Sequence, residues 1–217
     1  MSDAVTARPM FLALTPDARL DAAILDYKRR VHELVGPQRY LDHPPHMTVY
    51  LAVFAGGQDM GEAMATLAQM RAPALEIHGW HVFARDPLTG GNTLVMDPTE
   101  ESKQVLRRLQ ARVIEVLAPL RIVAATEQRF LGPDCRLSAP QAECVRSNGF
   151  PYVGAGWHPH FTVASIRQED WPVVERQLLN APPRLRIHCP ELALYELLEE
   201  HPRLVQAFTL EGGSASC

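Results

Sequence analysis

The chain has 217 residues, 47% hydrophobic and 21% charged, a balance that excludes disorder and collagen-like structure and can bury a core without disulfides or a structural metal. The formal net charge is -4 with His neutral, so no overall field gathers nucleic acid or anionic membrane, and an anionic ligand has to be held locally. Four cysteines, Cys135, Cys144, Cys189 and Cys217, show no CxxC spacing; they are expected as free thiols, with Cys135 and Cys144 near enough in sequence to pair. The apolar run near the start stops at Thr15-Pro16-Asp17, too short for a signal peptide core or a membrane span, which makes the cytoplasm the expected location.

In chain order, Met10 to Leu14 reads as a buried strand. Thr15 and Pro16 then read as cap and first turn of a helix with Leu20, Ile24, Tyr27, Val31 and Leu34 on one face, stopped by Gly36-Pro37. A strand from His46 to Phe54 leads to a helix capped by Asp59, with Met60, Met64, Leu67 and Met70 inward. Strands are expected at Ala74 to Ala84 and Asn92 to Met96, then a helix from about Thr99 to Leu117 with Leu106, Leu109, Val113 and Val116 inward. The stretch from Ala118 to Trp157 has no sustained period and reads as a long connection with short strands. Beyond it come a strand from His158 to Ser165, a helix from Asp170 to Asn180, strands at Leu185 to Glu196 and Arg203 to Leu210, and a frayed tail from Gly212 to Cys217.

The chain repeats itself. His46-Met47-Thr48-Val49 recurs as His160-Phe161-Thr162-Val163, Leu75-Glu76-Ile77-His78 as Leu185-Arg186-Ile187-His188, and Leu94-Val95 as Leu204-Val205, while the two cap residues Asp59 and Asp170 keep the spacing. Such a duplication, about 10-97 and 99-210, predicts two similar halves whose equivalent residues converge on one cleft. With nine His and ten Thr in the chain, roughly 0.4 His-x-Thr triplets are expected by chance, so one would mean little and a matched pair means more.

On a strand each His and its Thr project from the same face, with Met47, Val49 and Leu51 turned to the core. Two imidazoles near neutral pKa can act as base and acid on either side of a phosphorus, and two hydroxyls can donate to its non-bridging oxygens. Tyr50, on the same alternation as His46 and Thr48, and Tyr40, Tyr152 and Trp157 near the motifs, are candidates to stack a nucleobase. Arg129, Arg136 and Arg146 could complement phosphate, with nothing to choose among them. His43 and His158 are expected either as groove-edge residues or as partners that support the motif histidines. His78 and His188 read as structural, and His32, His81 and His201 belong to no constellation.

Two His-x-Thr-hydrophobic motifs in a duplicated chain of this length resemble the two-histidine phosphoesterase superfamily, and within it the bacterial 2′,5′ RNA ligase and cyclic phosphodiesterase branch. The resemblance implies an α+β fold over 1-217, bilobal and duplicated, with an antiparallel sheet in each lobe, helices outside, and a central groove lined by the two motifs. It implies metal-independent hydrolysis of 2′,3′-cyclic phosphates of nucleotides or RNA ends, carried by His46, Thr48, His160 and Thr162. Other substrates of the same chemistry are 2′,5′-oligoadenylate, a cyclic oligonucleotide or an ADP-ribose cyclic phosphate. A binding module without turnover is the alternative from another class. Four histidines near one groove could also hold a metal, but no carboxylate or cysteine recurs beside both motifs and the threonines would then be unexplained, so no cofactor is expected. No membrane or obligate protein partner is expected either, and the lack of long apolar heptads favours a monomer.

Overall fold

The computed structural model describes residues 6–133, 135–198 and 201–213. Eight strands and six α-helices follow the order β1 (Ala7–Thr15), α1 (Ala18–Val35), β2 (Met47–Ala55), α2 (Gly61–Ala68), β3 (Ala74–Phe83), β4 (Asn92–Pro98), α3 (Glu100–Leu117), α4 (Val123–Leu131), α5 (Ala139–Asn148), β5 (Phe161–Ile166), α6 (Trp171–Leu178), β6 (Arg184–His188), β7 (Glu191–Leu198) and β8 (His201–Thr209). They form two four-stranded antiparallel sheets, β2-β1-β7-β8 and β5-β4-β3-β6. The fold is therefore α+β, with the helices packed outside the sheets.

Each sheet takes strands from both halves of the sequence. β1 and β2 pair with β7 and β8 from the other end of the chain, whereas β3 and β4 pair with β5 and β6. Helix α1 follows β1 of the first sheet yet packs on β5, β6 and α6 of the second. This interlacing lets one apolar core run through the molecule, from Leu12, Leu14, Met47 and Phe54 on the first sheet to Ile77, Leu94, Phe161 and Ile166 on the second. The two halves of the sequence therefore share one apolar cluster.

The helix starts follow their capping chemistry. Asp17, rather than Thr15, caps α1: its carboxylate accepts from Leu20 N at 2.9 Å and from His188 N at 2.8 Å. Thr99 caps α3 as expected, accepting from Ser102 N. Asp170 stands at the N-cap of α6 but its side chain makes no capping hydrogen bond, whereas α2 is preceded by Met60 rather than Asp59 and also lacks a side-chain cap. Asp59 accepts from Gly61 N instead, and Asp170 from Gln38. On α1, Leu20, Ile24 and Val31 are fully buried but Leu34 is exposed, and the buried fourth position on that face is a lysine, Lys28.

Two further expectations about the fold are overturned. Between 118 and 157 the chain builds helices α4 and α5, not short strands; α5 buries only Val145, so its sequence carries almost no apolar period. The pair of Leu-x-Ile-His segments does not mark equivalent places either: β3 and β6 lie side by side, with Ile77 opposite Leu185 and Leu75 opposite Ile187. Likewise Leu94 and Val95 are buried inside the second sheet, whereas Leu204 and Val205 are exposed on the edge strand of the first. Cys135, Cys144 and Cys189 are free thiols; the tail beyond Gly213, with Cys217, lies outside the described residues. No helix among the described residues is long and apolar enough to cross a membrane.

Candidate active site

Both His-x-Thr motifs open edge strands. β2 borders the first sheet and β5 the second, and each motif His is preceded by a buried proline, Pro45 or Pro159. The residues that follow alternate identically, with His46, Thr48, His160 and Thr162 half-buried and Met47, Val49, Phe161 and Val163 buried in the core. After the fourth residue the alternation breaks in both strands. Leu12 faces Tyr50 while Ala13 faces Thr48, leaving Val49 as an extra residue, and Leu94 faces Ala164 while Val95 faces Thr162, leaving Val163 extra. A bulge at the same place in both motifs re-aims the strand and reverses its later faces.

That bulge decides the fate of Tyr50. One residue out of phase, it turns into the core, where it is fully buried against Phe150 with its hydroxyl donating to the Asn148 carbonyl at 2.8 Å. Leu51, expected inside, is half-buried and packs both on the main core and on the small cluster of Phe11, Ala13, Ala193 and Tyr195. Trp157 is likewise a core residue, 5% exposed. Neither Tyr50 nor Trp157 offers a ring face to a nucleobase. Tyr152 is half-buried on the core, its ring edge against Phe150. Tyr40 lies in the loop before the first motif with its ring against His43.

The two imidazoles are held in the same way. His46 Nδ1 lies 2.8 Å from the Pro44 carbonyl and His160 Nδ1 2.7 Å from the His158 carbonyl, each two residues back. A carbonyl only accepts, so Nδ1 carries the proton in both rings and Nε2 of the neutral imidazole keeps its lone pair. Burial pushes each ring down to about 4, against the opposing pull of its carbonyl. Neighbouring basic groups add to the depression, His43 and Lys28 around His46, and His158, His46 and His81 around His160. His46 is thus among the groups that lower His160.

The surroundings differ. His46 sits against the stacked pair of Phe11 and Tyr195, with ring centroids at 5.3 and 5.9 Å. His160 meets Phe83 at 5.0 Å, and beside it the rings of His158 and His81 lie 4.2 Å apart. Asp97, at the end of β4, pairs with Lys103 Nζ at 2.9 Å and stands 2.9 Å from His158 Nε2. Burial works to raise the Asp97 carboxyl, but His158 and Lys103 outweigh it and hold it below its usual range.

Supports from other helices fix the approach to each motif. Lys28, buried on α1, donates to the Tyr40 carbonyl, and burial pushes its pKa down to about 8. Gln110, fully buried on α3, donates to the carbonyls of Val49 at 3.0 Å and Tyr152 at 2.9 Å while accepting from Gly154 N at 3.0 Å. One side chain therefore joins the bulge of the first motif to the segment leading into the second. Sequence reasoning missed Gln110, Lys28, Phe11, Tyr195, Phe83 and His81. Lys28 and Gln110 carry a signal in retrospect, as polar residues on otherwise apolar helix faces.

A sequence profile of the 2′-5′ RNA ligase superfamily matches residues 16–200. The chain belongs to that superfamily. A search of curated protein sequences returns no significant match. Among solved structures, TT0787 of Thermus thermophilus is similar at 16% identity and a TM-score of 0.53, over 93% of this chain and 97% of that one. E. coli LigT complexed with 3′-AMP is similar at 14% identity and 0.49, over 94% and 98%. Usb1 of Kluyveromyces marxianus follows at 15% and 0.45, over 94% and 98%.

Proposed function

We propose that this protein is a metal-independent phosphodiesterase that opens 2′,3′-cyclic phosphates of nucleotides or RNA ends, with His46 and His160 as base and acid and Thr48 and Thr162 as donors to the phosphate. The observation that carries the reading is the matched presentation of the two motifs: each imidazole has its Nδ1 proton tied to a carbonyl two residues back, on an edge strand bulged at the same place. Superfamily membership is consistent with it.

The chemistry balances with these groups alone. One Nε2 takes a proton from a water that attacks phosphorus. The bond from phosphorus to one ribose oxygen breaks, and the other imidazole, protonated, gives that oxygen its proton, so the ring opens to a phosphomonoester. Rings held near pKa 4 start neutral at pH 7, which suits the base at once. The acid acquires its proton with the substrate, because a phosphodiester anion bound between the rings favours the charged form of one of them. Thr48 and Thr162, half-buried beside the rings, stabilise the charge that gathers on the non-bridging oxygens.

The test is hydrolysis of the four 2′,3′-cyclic mononucleotides in EDTA, followed by phosphorus NMR, for the wild type and for His46→Ala and His160→Ala. Turnover by the wild type alone is the expected result. Equal turnover by the variants overturns the assignment of the histidines. Silence from a folded wild type on mononucleotides, cyclic-phosphate RNA ends and 2′,5′-linked oligonucleotides overturns the reading as an enzyme of this class.

A further inference from the structure

We propose that Asp42, His43 and His201 form a binding site for one divalent transition-metal ion of the zinc class, which joins the β7–β8 hairpin to the loop leading into His46. Each residue offers a ligand atom, and these atoms all lie within 4.8 Å of one another, the one such group among the described residues. His201 Nδ1 is 3.4 Å from Asp42 Oδ2, and the rings of His43 and His201 have centroids 6.1 Å apart. Metal–ligand bonds of about 2.0–2.2 Å place the ligand atoms of a tetrahedral ion roughly 3.5 Å apart. The remaining closure is within reach of side-chain rotation, because Asp42 and His201 are exposed and His43 half-buried.

The donor set selects the ion. Two imidazoles and one carboxylate suit zinc, cobalt or nickel; magnesium and calcium prefer shells of oxygen. As a bare contact the exposed carboxylate–imidazole pair contributes little, since both partners are largely in water. As a chelate of three it gains affinity from the fixed placement of its parts.

That placement is built into the chain. Tyr40 has a left-handed φ of 71°, its carbonyl accepts from buried Lys28 and from His43 N, and its ring packs on His43, so the turn presenting Asp42 and His43 is held from beneath. His201 starts β8, paired with Leu198 at the end of the hairpin. The three residues line one cavity of about 390 Å³, where water or a ligand atom can complete the coordination. The site does not involve the motif histidines and stands whether or not the protein hydrolyses cyclic phosphates.

The test is calorimetric titration of the chelator-stripped full chain with zinc chloride, repeated with cobalt chloride while the visible d–d absorption is followed. One ion per chain is expected, with at least about tenfold weaker binding in His201→Ala and Asp42→Asn and unchanged binding in His81→Ala and His158→Ala. Far-UV circular dichroism checks that the two exposed substitutions leave the fold intact. Absence of zinc binding, binding unaffected by His201→Ala and Asp42→Asn, equal affinity for magnesium, or loss of binding in His81→Ala or His158→Ala each overturns the site.

Discussion

The two motifs are alike at their histidines and bulges and unlike in what surrounds them. Both histidines donate Nδ1–H to a carbonyl two residues back and both valines bulge out of register, but His46 leans on the Phe11–Tyr195 stack whereas His160 is flanked by Phe83, His158 and His81, with Asp97 and Lys103 behind them. A reaction with an acid and a base of similar strength needs two like imidazoles. A nucleoside 2′,3′-cyclic phosphate carries a flat base at one edge of its ribose and a polar 5′ group at the other, so unlike walls around like rings are what such a substrate would reward.

The largest expected effect tests the likeness. His46→Ala and His160→Ala should each lower kcat/KM on a cyclic phosphate by at least about 10³-fold, with melting temperatures near that of the wild type at neutral pH. A loss of this size in one variant and a tenfold loss in the other would break the equivalence of the two halves. Thr48→Val and Thr162→Val come next, each expected to cost about 10² in kcat with KM little changed, the signature of a donor used in the transition state.

Stability provides the next contrast. Gln110→Leu should destabilise the protein by about 1–3 kcal/mol in urea unfolding, because the Val49 and Tyr152 carbonyls and Gly154 N–H lose a buried partner. Its activity loss should fall on both motifs' work together, as a drop in kcat larger than a comparable core substitution gives. The last contrast is the response to acid. Both motif imidazoles have folded pKa values near 4, below 6.5 in the unfolded chain; the unfolded state therefore binds protons that the native state refuses, and the stability present above pH 6.5 is lost as pH falls towards 4. The slope should be at most about 1.4 kcal/mol per pH unit for each ring, and His46→Gln with His160→Gln should flatten it.

The sequence made the motifs legible because both copies keep His, Thr and Val and lie on strands. It made most elements legible because apolar periodicity marks β1, α1, α3 and β5 directly. The bulges were invisible: nothing in Val49-Tyr50 or Val163-Ala164 announces an unpaired residue, so plain alternation puts Tyr50 on the wrong face. The interlacing was invisible too, since similar tetrapeptides on β3 and β6 reflect neighbours with a common environment as readily as duplicated positions. Contacts such as Gln110 to Val49, or His201 to Asp42, join residues far apart in the chain, and no local pattern carries them.

The most direct test of the central claim is the double-mutant cycle of His46→Ala, His160→Ala and the combined variant on one 2′,3′-cyclic nucleotide. If the two rings act as one acid–base unit, either substitution removes nearly all turnover and the double variant is no slower than the worse single one. Losses that multiply, or a single variant that keeps wild-type rate, would contradict the pair.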